Sequence, residues 1–86
     1  MNVKLYLNGQ LVGEGRIINL VEEQRMPSKL KFPGKVIIKM TTQLNSKIAN
    51  SIIIDNDISY NIDLDDIFDY SIGSEISGDI YSKRKL

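Results

Sequence analysis

Apolar and polar residues alternate from the first positions of the chain. Val3-Lys4-Leu5-Tyr6-Leu7 has the period of two that puts alternate side chains on opposite faces of a strand. Asn8-Gly9 follows, and the pair predicts a two-residue hairpin, because a type I′ turn needs positive φ at both central positions. The return strand then sets Leu11 and Val12 opposite Tyr6 and Leu5 before it meets Gly13-Glu14-Gly15. Two glycines this close within a strand indicate a bulge or a sharp bend. Beyond them the strand resumes at Arg16 and runs to Leu20 or Val21. A long, glycine-bent strand shared by two sheets is how small barrels turn their corners.

Residues 22–35 read as a basic loop, since Pro27, Ser28, Pro33 and Gly34 carry turn chemistry. Lys35 to Met40 extends again. The polar stretch 41–50 follows, in which Gln43 to Ala49 can form one or two helical turns. Ser51 to Ile54 is a β-branched strand, and Asp55-Asn56-Asp57 turns the chain. Ile58, Tyr60, Ile62 and Leu64 then alternate with Ser59, Asn61 and Asp63, apolar side inward. Asp63 to Phe68 suggests a single short turn capped by Asp63 or Asp65. Tyr70 and Ile72 open a last extended stretch, bent at Gly73 and Gly78 and continued by Ile76, Ile80 and Tyr81 to a basic tail at 82–86.

The expected fold is all-β: one domain over 1–86, a small antiparallel β-barrel or sandwich of six to seven short strands with at most one short helix. A helix in 41–50 would make it α+β. The expected core is Leu5, Leu7, Val12, Ile18, Val36, Ile38, Ile52, Ile54, Ile58, Tyr60, Ile62, Ile67, Ile76 and Ile80.

Composition narrows the chemistry. Apolar residues make up 42% of the 86 positions, fourteen of them Ile, and there is no Cys, His or Trp. Disulfides and thiolate metal sites are thereby excluded, as are imidazole bases and the usual zinc ligands. The expectation is a non-catalytic protein without metal or cofactor, because so short a chain has little room for a deep pocket. No apolar run approaches the ~20 residues of a membrane helix and no signal peptide precedes the first strand, so a cytoplasmic location is expected. Abundant Ile, Asn and Lys suggest an AT-rich coding sequence and a bacterial or phage source.

Charge is segregated. Residues 1–50 hold eight cations against three acids, residues 51–82 hold eight acids and no cation, and Lys83-Arg84-Lys85 restores neutrality. Asp55, Asp57, Ser59, Asn61, Asp63 and Asp66 match the ligand spacing of a calcium-binding EF-hand loop, but Tyr60 stands where that loop needs glycine. Once residues 58–64 are extended, these groups form a row, not a cage. The candidate partner-binding residues are Arg25, Lys29, Lys31, Phe32 and Lys35 on the basic side and Asp63, Asp65, Asp66 and Asp69 on the acidic side. Opposed charges suit steering onto a protein partner, such as a larger host complex that a phage or mobile-element protein blocks or adapts. The rival is nucleic-acid binding through 25–35 and 83–85, opposed by an acidic segment expected within a Debye length or two in so small a domain. Self-association is a further expectation. Ser51 to Ile54 would pair with another chain if it lay on a free edge, which favours a homodimer, and Lys4, Lys35, Lys39 and Glu14 read as charges that guard edges.

Overall fold

The computed structural model describes residues 1–22 and 34–86. Six strands form a single closed antiparallel barrel: β1 (Asn2–Leu7), β2 (Gln10–Glu22), β3 (Gly34–Met40), β4 (Ser51–Ile54), β5 (Ile58–Leu64) and β6 (Glu75–Lys85). Around the barrel the order is β1-β2-β3-β6-β5-β4, so two three-stranded meanders meet at the β3–β6 and β1–β4 seams. The described residues contain no helix, and 41–50 runs as an irregular crossing, not as helical turns.

Both predicted hairpins form. Asn8 and Gly9 have φ of 51° and 83°, and Asp55 and Asn56 have φ of 50° and 56°, as tight primed turns require. β2 is the bent strand the glycines implied, paired with β1 through Gln10–Arg16 and with β3 through Gly15–Glu22. Two bulges alter its expected register. Tyr6 faces Leu11 as expected, but Leu5 faces Gly13, because Val12 is the extra residue. A second bulge falls between Ile17 and Asn19, and it turns Ile18 outward to 51% exposure, whereas a core position was expected. Strict alternation cannot survive an inserted residue, so Ile17 packs against the core in its place.

Other boundaries shift as well. Glu22, Gly34 and Lys35 belong to strands, so the expected loop does not extend over all of 22–35, and 23–33 lie outside the described residues. β5 continues through Leu64, and 65–70 is irregular where a capped turn was expected. Tyr70 and Ile72 precede the last strand, which begins at Glu75, and the basic tail is not a tail, since Lys83 to Lys85 lie within β6. Closure gives every described strand a neighbour on both sides. Ser51 to Ile54 pairs with β1 on one side and β5 on the other, which removes the edge route to a homodimer. Lys4, Lys35, Lys39 and Glu14 therefore guard no edge.

The barrel is filled by Val3, Leu5, Val36, Ile38, Ile52, Ile62 and Ile80. Leu7, Ile58 and Ile67, expected in the core, pack against its margin. Leu44 and Ala49, both from the 41–50 crossing, are buried and close one end of the barrel. Hydrogen bonds from Leu44 N to Tyr70 O and from Asn45 N to Val12 O hold this plug to two neighbouring segments.

Candidate functional site

Antiparallel order sends three connections to the plugged end: the Asn8-Gly9 turn, the 41–50 crossing and the 65–74 segment between β5 and β6. The last of these is fastened at both sides. Asp65 N donates to Ser77 O at 2.9 Å, and the Ser77 hydroxyl donates to Asp65 Oδ2 at 2.7 Å. On the far side Tyr70 O accepts Leu44 N at 2.9 Å, and Gly73 N donates to Met40 O at 2.8 Å. Gly73 has φ of 89°, which the tight turn Ser71–Ser74 requires and which side chains rarely tolerate. Between these anchors Ile67 and Tyr70 turn in to pack on the core. Phe68 turns out, and its ring is 94% exposed. Ile72, on the turn, is 69% exposed.

Acids frame the ring. A depression of about 270 Å³ beside Phe68 is lined by Asp66, Asp69, Ser74, Glu75 and Ser77. Asp69 Oδ1 accepts both the Ser71 hydroxyl (2.6 Å) and the Ser71 N–H (2.9 Å). These two bonds hold its carboxyl below the usual aspartate range, so it stays charged. Among the described residues Asp66, Asp69 and Glu75 form no ion pair. Glu75 faces Lys39 across the strand pair without bridging it.

The remaining candidates separate. Asp63 lies on the outer wall opposite Asp79, and Asp79 in turn bridges Lys35 at 2.6 Å. That hydrogen bond and the attraction behind it raise the pKa of Lys35. Lys35, expected among the basic ligands, is thus spent on an acidic wall. Arg25, Lys29, Lys31 and Phe32 lie outside the described residues. Sequence reasoning passed over Phe68, Ile72, Glu75 and Asp79. The signal for Phe68 was present, since an aromatic inside Asp66-Ile67-Phe68-Asp69 has no alternating partner to carry it inward.

Position along β6 decides the long-range field. An 11-residue strand separates Glu75 from Lys85, roughly 30 Å at ~3.3 Å per residue, or about four Debye lengths at physiological salt. The Glu75 end of the acidic segment is therefore remote from Lys83-Arg84-Lys85, whereas its Asp57 end lies beside them as expected, with Asp57 O accepting Leu86 N at 2.7 Å. Near the basic end, Lys83 Nζ approaches Glu22 Oε1 at 3.5 Å, and the same oxygen accepts the Tyr60 hydroxyl at 2.6 Å.

Burial of the Tyr60 phenol, then its bond to Glu22, raise its pKa well above the ordinary value of 10.0. Folding thus makes this phenol harder to ionise than it is in the unfolded chain. The resulting stability is complete below about pH 10 and declines as pH climbs toward the raised folded value. Tyrosinate absorbance during alkaline titration should show one phenol that ionises only as the fold is lost. Tyr60→Phe should remove that late step; its persistence would assign the step elsewhere.

A larger open depression of about 450 Å³ is lined by Lys4, Glu14, Thr41, Ile53 and Asp55. The Asp55 carboxylate there is already engaged by Asn2 N, and no aromatic side chain lines it. Among the described residues no group of three or more acids is arranged to hold a metal ion, and Ser59, Asn61 and Asp63 form the outward row expected of an extended segment. Compared with protein-family models, curated proteins and solved structures, the chain matches none.

Proposed function

We propose that this barrel is a non-catalytic protein-binding module and that its docking surface is the 65–74 segment. The observation that carries the reading is Phe68: a ring 94% exposed on a segment whose flanking residues are packed and hydrogen-bonded. An aromatic left in water on a slack loop would have no meaning. One held out by anchors on both sides is pre-organised, so little conformational freedom is lost when a partner covers it. Aromatic anchors ringed by polar groups are the usual centre of a protein interface. The chain also lacks His and Cys, which leaves acyl-transfer and thiol chemistry without their ordinary groups. A small blocker or adaptor of a larger complex, of the kind phage and mobile elements carry, fits such a surface.

The nucleic-acid alternative is less favoured, because two of the cations it would use are engaged, Lys35 with Asp79 and Lys83 with Glu22. A photo-crosslinking residue placed at 68 should join the protein to one discrete partner in lysate of its source cell, and the same residue at Asn61 should not. Fluorescence anisotropy with a labelled single strand supplies the counter-test. Tight binding that falls steeply with salt, together with no crosslink at 68, would replace this reading with the nucleic-acid one.

A further inference from the structure

We infer that the depression beside Phe68 receives an arginine side chain from the partner protein. The inference rests on the docking reading above and adds the chemistry of what docks. Phe68, which is exposed, and the acids Asp66, Asp69 and Glu75 all line one small hollow. Arginine suits both at once better than any other common side chain. A guanidinium is flat enough to stack on a ring, and its fork of N–H donors meets carboxylates in pairs. A lysine ammonium supplies the charge as a compact, strongly hydrated point, and it neither stacks nor forks. Neutral apolar side chains would cover Phe68 but leave three acids facing a desolvated contact, which is unfavourable.

The acids are also available. The two ion pairs among the described residues, Lys35–Asp79 and Lys83–Glu22, use neither Asp66, Asp69 nor Glu75. Asp69 takes both its hydrogen bonds on Oδ1, so among the described residues Oδ2 accepts none. Ser71 therefore orients this carboxylate without exhausting it. Its lowered pKa is consistent with a group that remains anionic at any physiological pH. Ile67, Ile76, Ser74 and Ser77 complete the lining, the serine hydroxyls being directed to Ser71 O and Asp65 Oδ2.

Panning a random displayed peptide library on the folded 86-residue chain tests this without knowledge of the partner. Enrichment of peptides with an arginine beside an apolar residue is expected. Their binding should fall about tenfold or more on Arg→Lys substitution in the peptide, and by a similar factor in Asp66→Asn/Asp69→Asn, as loss of a charge-assisted contact implies. It should also weaken between low and high salt. Peptides that depend on Phe68 but lack arginine, or that bind Asp66→Asn/Asp69→Asn unchanged, would overturn the arginine inference and leave the docking surface standing. A library in which no peptide distinguishes wild type from Phe68→Ser would overturn both. Circular dichroism of each variant confirms that the barrel compared is the folded one.

Discussion

Gly15→Ala should lower the melting temperature of this barrel by roughly 10–25 °C. β2 passes from β1 to β3 at this residue, pairing with Val3 on one side and Met40 on the other. A methyl group built here would lie 2.6 Å from Ile38 Cγ2 and 2.6 Å from Lys39 O. The first obstacle is a buried branched side chain and the second is main chain, so neither gives way without parting β2 from β3. Overpacking of that kind costs about 3 kcal/mol, and each kcal/mol is worth ~4–8 °C in a domain of this size. Gly9→Ala is the natural comparison. Its φ is 83° but nothing lies within 4 Å, so only the left-handed backbone is penalised, by about 1–2 kcal/mol. Thermal and urea unfolding of both variants would decide the matter. Equal melting temperatures would mean that the β2–β3 contact is looser than described.

Local chemistry explains which parts of this fold could be read from the chain. Asn8-Gly9 and Asp55-Asn56 carry their own positive-φ turns, and residues 58–64 alternate without interruption, so both hairpins and β5 are written in a few adjacent residues. Closure of the barrel is announced by Gly13 and Gly15, whose spacing marks a corner. Register is less local. Ile17 and Ile18 are equally apolar, and only the bulge against β3 decides which one faces inward. Leu44 and Ala49 sit in a polar stretch with no period at all, and they are buried because the crossing happens to cap the barrel end. Met40 closes β3 at the same place, beside the plug that Gly13 makes room for.

The candidate site was half visible for a related reason. Acidic residues announce themselves by charge, so Asp65, Asp66 and Asp69 stood out from a count. What organises them is Phe68, and its exposure depends on Ile67 and Tyr70 turning inward around it. Charge counting also misassigned Lys35. Neighbours along the chain made it part of a basic loop, whereas the β3–β6 pairing sets it against Asp79. Segregation in sequence therefore becomes interleaving on the wall of the barrel at Lys35–Asp79, while Asp66, Asp69 and Glu75 at the end that carries 65–74 form no ion pair among the described residues.

Phe68→Ser should abolish docking while leaving the barrel as stable as before. A ring that is 94% exposed contributes almost no buried area to folding, so its removal should change unfolding free energy by no more than about 0.5 kcal/mol. If the ring anchors an interface, its loss should weaken association roughly 30- to 1000-fold, the range expected for an aromatic hot spot. Leu44→Ala should show the reverse. That side chain is 1% exposed in the plug, so its truncation should cost about 2–5 kcal/mol of stability. The affinity of the molecules that remain folded should hardly change. Measuring melting temperature and calorimetric affinity for both variants, with one peptide selected on the wild type, separates a structural residue from a docking one. If Phe68→Ser destabilised the barrel as much as Leu44→Ala, the ring would be part of the fold and the docking surface would have to be sought elsewhere.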